Sequence, residues 1–211
     1  LFLSDRDKRL CTELVYGTVE NRIRLDYMID QFLENKDIEH TVREIIRIGA
    51  YQLFFLDRVP DMAAVDESVK LTRSMGLESL TGLVNGVLRN MIRGKADIHY
   101  PSPKEEPVRY LSIMFSMPEY LTQRLIDTYG EAEALAIARY KPKDHDTTIR
   151  LTKGKKSPAD FEVYLAKHEL TYRKAMLENV YKLERPGDLA ELPGFKNGLF
   201  SIQGESSVLA A

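Results

Sequence analysis

The chain has 211 residues, of which 44% are hydrophobic, and a formal net charge of −2. This composition allows one domain or two small ones with buried cores, and it argues against nucleic-acid binding through bulk positive charge, although a local basic surface remains open. The single cysteine excludes an intrachain disulfide and a metal site made of cysteines alone. There is no apolar run near the roughly 18 residues of a membrane span and no signal-peptide pattern, so we expect a cytoplasmic protein without a membrane partner.

The amino-terminal part of the chain is predicted to be helical. A first helix begins at Ser4, whose side chain can cap free backbone N–H groups, with Asp7 as the acidic member of a capping box. Apolar residues then recur at helical spacing from Leu10 to Ile29. Gly17 weakens the middle of this pattern slightly.

The segment from about residue 38 to 56 has the most regular pattern in the chain. Its apolar residues recur at intervals of three and four, which is typical of one buried helix face. Because Gly49 lies on this face, another helix can approach closely. Helices are also predicted over about residues 62–75 and 77–93. The Asn85-Gly86 pair is a common hairpin signal, but it keeps the helical phase of its neighbours and is assigned to the helix.

The second half of the chain changes character after a proline-rich linker at residues 94–107. Three helices are predicted next, over about residues 108–115, 118–129 and 131–140. From about residue 144 the pattern becomes mixed. Strands are predicted at residues 147–152, 170–172, 180–183 and 198–202, with a helix at 157–168 and the first turns of another at 206–211. The predicted fold class is therefore multidomain, with an all-α bundle followed by a small α/β domain.

One stretch of the second half is strongly basic. It carries seven cations against two aspartates. The cations are Arg139, Lys141, Lys143, Arg150, Lys153, Lys155 and Lys156. Such a cluster can position nucleic-acid phosphates without reading sequence. The alternative is a solvated loop and a strand edge guarded by lysine.

Arg43 and Arg47 form a second basic pair, one helical turn apart and largely off the apolar face. They are also candidates for phosphate contacts. The alternative is a set of salt bridges on the helix surface with Glu39 or Glu44.

Residues that could carry catalysis are not arranged for it. Cys11 lies among apolar residues of a helix, which favours packing over a nucleophilic role. The four histidines have no metal-ligand spacing, so neither a catalytic residue nor a metal ligand is assigned. Four aromatic residues at helical spacing, which could stack on bases, are predicted to belong to the core instead: Tyr16, Tyr51, Phe54 and Phe55.

Two segments point to a family. RIGAYQLFFLDRVPDMAAVDESVKL, from Arg47, and GLVNGVLRNMIR, from Gly82, closely resemble the NusB-like amino-terminal domain of the bacterial Sun/Fmu-type 16S rRNA cytosine-C5 methyltransferases. The segment Phe115–Glu131 resembles the entry into that family's second domain, and Gly198–Ser207 resembles the opening of its methyltransferase domain. The resemblance therefore spans nearly the whole chain.

The resemblance implies an RNA-recognition region of an S-adenosylmethionine-dependent rRNA (cytosine-C5) methyltransferase, inactive by itself. It implies small-subunit ribosomal RNA and the parent protein's own methyltransferase domain as partners. In the family, the S-adenosylmethionine site and the catalytic cysteines lie further along the chain, so no cofactor or Rossmann-like domain is expected within these residues. The alternative is a stand-alone NusB-like module that acts in transcription antitermination through RNA and a protein partner.

The expected domains follow from the same resemblance. They are a NusB-like bundle at residues 1–97, a linker with joining helices at 98–143, a small α/β domain at 144–204 and the truncated start of a methyltransferase domain at 205–211. Two departures from the family pattern mark this chain as a divergent member. Arg150-Leu151-Thr152 stands where Arg-Val-Asn is common, and Gln203-Gly204 stands where Gln-Asp is common.

Overall fold

The computed structural model describes residues 3–140, 146–184 and 186–210. It divides into two compact units, Leu1–Tyr140 and Lys141–Ala211. In the described part, the first unit is helical and the second contains an antiparallel sheet with short helices. The predicted fold class, an all-α bundle followed by a small α/β domain, is confirmed. The finer domain boundaries expected from the family stay predictions.

The helices of the first unit occupy the segments that periodicity indicated. They are α1 (Asp5–Glu20), α2 (Arg22–Ile29), α3 (His40–Phe55), α4 (Asp61–Ser74), α5 (Thr81–Arg93), α6 (Pro107–Phe115), α7 (Glu119–Tyr129) and α8 (Glu131–Arg139). Short 3-10 turns precede and follow α5, at Glu78–Leu80 and Lys95–Asp97. The Asn85-Gly86 pair lies inside α5, as its helical phase predicted.

The start of α1 is capped as predicted. The Ser4 hydroxyl accepts a hydrogen bond from the Asp7 backbone N–H at 3.2 Å and donates one to the Asp7 carboxylate at 2.6 Å. The apolar pattern up to Ile29 is divided between two helices, because the chain breaks at Asn21. The Asn21 side chain donates to the Gly17 carbonyl at 2.9 Å, and such local bonding competes with a continuous helix.

Several apolar side chains of α1 are more exposed than the sequence pattern suggested. Leu10, Val15 and Val19 are 43%, 57% and 68% exposed. Tyr16 is 64% exposed, so its assignment to the core is wrong. The helix packs on α3 through the side that carries Gly17, which is buried, and Leu14, which is half-buried.

The helix α3 is the centre of the first unit. It packs against α1, α2, α4 and α5. Its apolar face is buried as predicted, at Val42, Ile45, Ile46, Gly49, Ala50 and Leu53. A Cβ atom at Gly49 would lie 2.8 Å from both Leu88 of α5 and Ser68 of α4. The absence of a side chain at Gly49 therefore allows both helices to approach α3.

The second unit is a sheet covered on one face by a helix. The strands are β1 (Thr147–Leu151), β2 (Tyr172–Lys174), β3 (Val180–Leu183) and β4 (Phe200–Ile202), and the helices are α9 (Pro158–Lys167), α10 (Pro193–Lys196) and α11 (Glu205–Leu209). The strand order is β2-β3-β1-β4, and every pairing is antiparallel. Phe161 and Leu165 of α9 pack with Ile149 and Leu151 of β1 in a core separate from that of the first unit.

Candidate nucleic-acid interface

The loop between β1 and α9 carries three lysines. It runs from Thr152 to Ser157, and the Ser157 side chain ends it by accepting from the Asp160 backbone N–H at 3.2 Å. The lysines are Lys153, Lys155 and Lys156, and all three are exposed. Among the described residues, no carboxylate forms an ion pair with any of them. Their charges are therefore available to an external anion.

Arg150 lies on the face of the sheet opposite to the α9 core. Its neighbours across the strands are Val180 and Ser201, whereas Ile149 and Leu151 point into the core. The half-buried Arg150 side chain donates to the Gln203 side-chain carbonyl at 3.4 Å. Arg150 and Lys153 both line a cavity of 230 Å³ at the end of β1. The structure thus brings these two predicted residues together.

Three cations that sequence reasoning did not include lie on the neighbouring strands. Arg173 and Lys174 are on β2, and Lys182 is on β3. Each is paired with a carboxylate. The pairs are Arg173–Asp146 at 2.6 Å, Lys174–Glu162 at 2.8 Å and Lys182–Glu205 at 2.6 Å. Because these charges are compensated within the unit, they contribute less to an external anion site than the loop lysines do. Their strand was predicted too early, at residues 170–172, which concealed their placement.

A groove of 590 Å³ separates the lysine loop from the β2–β3 hairpin. Glu162 of α9 lies in its wall and accepts hydrogen bonds from Lys174 and from the Tyr172 hydroxyl, at 2.8 Å and 3.2 Å. The hydrogen bond from Lys174 lowers the pKa of the Glu162 carboxyl and outweighs the opposing effect of burial. Glu162 is therefore an ionised partner of the hairpin and not a proton donor at neutral pH.

Arg43 and Arg47 are placed in an ion-pair network of the first unit. Arg47 donates to both carboxylate oxygens of Asp26, at 2.7 and 2.8 Å, and to Glu44 at 2.5 Å. Arg43 donates to Asp26 at 3.2 Å and also pairs with Asp30. Burial alone would lower the pKa of the Arg47 guanidinium, but the hydrogen bonds to Asp26 and Glu44 raise it above its ordinary value.

The other predicted cations are not among the described residues of the second unit. Arg139 is exposed in the last turn of α8, in the first unit. Lys141 and Lys143 lie outside the described residues. The structure therefore brings together Arg150 and the loop lysines, which belong to one compact unit.

Cys11, the possible metal ligands and the lengths of the helices bear on other kinds of chemistry. Cys11 is exposed, so the expectation that it packs in a core is wrong. In the ranges that the structure describes, no three His, Cys, Asp or Glu side chains cluster as metal ligands would. None of the helices in those ranges is both long and apolar enough to cross a membrane.

The loop between β1 and α9 does not fit S-adenosylmethionine. A nucleoside cofactor is typically held by a glycine-rich turn between a parallel strand and a helix. Here the corresponding loop follows a strand of an antiparallel sheet and contains one glycine, Gly154, among three lysines. This loop therefore offers no such cradle.

Comparison with known proteins identifies the first five helices of the first unit. The NusB family model matches residues 2–93, which contain α1 to α5. Residues 2–93 are a NusB-family domain. The NusB-family domain holds the α3-centred core and the ion pairs of Arg43 and Arg47, whereas the lysine loop lies outside it.

Relatives extend the similarity beyond the NusB-family domain. The chain is 36% identical to the "Probable ribosomal RNA small subunit methyltransferase B" of Bacillus subtilis (strain 168), over 99% of this chain and 46% of that protein. It is 33% identical to the protein of the same name from Synechocystis sp., over 97% of this chain and 46% of that protein. The chain thus spans about half the length of the relatives it matches, in their amino-terminal part. The resemblance to the rRNA methyltransferase family is confirmed.

A solved structure supports the fold. The crystal structure of PH0851 matches with a TM-score of 0.72 at 17% sequence identity, over 98% of this chain and 46% of that chain. At this identity the match establishes the fold alone.

Proposed function

We propose that the chain is the RNA-recognition region of an S-adenosylmethionine-dependent rRNA (cytosine-C5) methyltransferase and is inactive by itself. The observation that carries this proposal is the set of cations at the end of β1. Arg150, Lys153, Lys155 and Lys156 lie in one compact unit, and no ion pair joins them to a carboxylate of the described residues. The names of the relatives, which act on small-subunit ribosomal RNA, supply the expected partner.

The parent protein would supply the chemistry. S-adenosylmethionine would bind in its own methyltransferase domain, which would take the target cytosine out of the RNA stack. The residues described here would hold and orient the RNA. We further propose that the protein is bacterial and acts in rRNA processing in the cytoplasm.

The alternative, a stand-alone NusB-like module in transcription antitermination, is less well supported. The NusB family match ends at residue 93, and so leaves the sheet and the lysine loop without a role. The similarity to the methyltransferase relatives covers both.

The proposal is tested by reversing Lys153, Lys155 and Lys156 to Glu together. RNA affinity, measured by fluorescence anisotropy with a labelled small-subunit rRNA fragment, should fall about ten-fold or more at low salt. The slope of log K against log salt should flatten by about 2, because three phosphate contacts are lost.

A matched control carries the same change in net charge at three exposed lysines elsewhere, Lys70, Lys167 and Lys196. Its affinity and salt slope should stay near those of the parent chain. Equal losses in both triple variants would mean that only net charge matters. Unchanged binding in the loop variant would contradict the proposed surface.

A further inference from the structure

The groove beside the lysine loop has two chemically different walls. One wall is cationic and includes Lys153 and Lys156, which no carboxylate of the described residues pairs. The opposite wall is the hairpin turn, where Met176 is 91% exposed and Leu177 is half-buried. An occupant that matches both walls needs an anionic group joined to a flat or apolar one.

The hairpin wall is held in place before any ligand binds. The Met176 backbone N–H donates to Glu205 of α11 at 2.8 Å, and Glu205 also pairs with Lys182 at 2.6 Å. The turn is closed by the Ala175 N–H, which donates to the Val180 carbonyl at 3.0 Å. A wall fixed by such bonds loses little further freedom on binding.

The remaining charged side chains of the groove are one lysine and two glutamates. Lys174 and Glu162 both line it, and they form an ion pair with each other at 2.8 Å. Glu178 also lines it and is exposed. Net attraction for an anion therefore comes from Lys153 and Lys156 of the loop, whereas the hairpin side offers a thioether and an aliphatic chain beside the carboxylate of Glu178.

We propose that this groove binds an unpaired nucleotide of an RNA strand, with its phosphate at Lys153 and Lys156 and its base against Met176 and Leu177. The inference rests on the proposed function and adds a preference for single-stranded RNA. The volume of 590 Å³ falls in the range of about 300–1,000 Å³ that small-ligand sites occupy. A base in a duplex is paired and stacked, so it does not enter such a groove, whereas an unpaired base stacks on a polarisable side chain.

The test uses the whole chain, a labelled oligouridylate strand and a fully paired RNA duplex of the same length. Met176→Ala should weaken binding to the single strand about five-fold, since it removes the contact with the base, and should leave duplex binding unchanged. The control is Val163→Ala, which shortens another exposed apolar side chain, 68% exposed on α9 and outside the groove. It should change neither affinity.

The outcomes separate this inference from the proposed function. If Met176→Ala leaves single-strand binding unchanged while the triple lysine reversal abolishes it, the groove proposal is wrong and the basic surface stands. Competition by polyglutamate as strong as that by unlabelled oligouridylate would also overturn it, because only charge would then be recognised. If the chain binds neither RNA, the groove proposal and the proposed function fall together.

Discussion

Arg47 is nearly buried on α3 and is fully engaged with carboxylates. Its side chain is 5% exposed, while those of its partners Asp26 and Glu44 are 27% and 40% exposed. The loop lysines of the second unit have the opposite environment, with high exposure and no ion pair among the described residues. We therefore propose that Arg43 and Arg47 stabilise the bundle, and that RNA is contacted by cations whose charge is not already used.

The variant Arg47→Met tests whether Arg47 stabilises the bundle or contacts RNA. We expect the free energy of unfolding to fall by about 2 kcal/mol, less than the about 3–5 kcal/mol of a fully buried pair, because Asp26 and Glu44 stay partly hydrated. Urea unfolding measures the change, and RNA affinity should be unaltered. Lys70→Met removes a pair of 2.7 Å in which both side chains are about two-thirds exposed, and should lower the free energy of unfolding much less than Arg47→Met does. A loss of RNA affinity in Arg47→Met with unchanged stability would instead make Arg47 an RNA contact.

At the level of elements, glycine determines how α1 meets α3. A Cβ atom at Gly17 would lie 2.0 Å from the ring of Tyr51. Tyr51 is itself held there, since its hydroxyl donates to Glu13 at 2.6 Å and its ring stacks on Phe55 with centroids 5.1 Å apart. In the sequence, Gly17 only weakens a helix. In the structure, it makes room for an aromatic ring from another helix.

Gly17→Ala should therefore destabilise the first unit despite the better helix propensity of alanine. We expect a loss of about 2–3 kcal/mol, because the added methyl group overpacks a site that is already full. Gly86→Ala is the matched control, since its Cβ would meet nothing within 4 Å, and it should stabilise α5 by up to about 1 kcal/mol. Chemical unfolding measures the free energy of unfolding of both variants, which should fall in Gly17→Ala and rise in Gly86→Ala. The cost of Gly17→Ala should shrink in a Tyr51→Leu background, and an undiminished cost there would rule out the clash as its cause.

At the scale of the whole molecule, the sequence predicts the secondary-structure elements better than it predicts the ion pairs between distant side chains. Helix periodicity located α3, α4 and α5 because each has a buried apolar face that repeats locally. The ion pair of Arg47 with Asp26 spans 21 positions in sequence, and no local pattern reports it. Likewise, the composition of the sequence shows where basic residues are concentrated, but it does not show which of their charges are paired. The charges of Lys174 and Lys182 are paired with glutamates of α9 and α11, and these pairs form only when the strands β2 and β3 pack beside those helices. What could not be predicted is therefore mostly a matter of which charges tertiary contacts neutralise.

The two cores predict how the whole chain unfolds. Leu88 is fully buried in the first core and Leu165 in the second, and the two cores are separate clusters. Truncating either to alanine should cost about 3 kcal/mol within its own unit. In calorimetry of the whole chain, Leu88→Ala should lower only the transition of the first unit, and Leu165→Ala only that of the second. The Tm shift should be larger for Leu165→Ala, because the smaller unit has the smaller entropy of unfolding. A single transition lowered equally by both variants would mean that the cores unfold as one cooperative structure, and the lysine loop would then depend on the stability of the NusB-family domain.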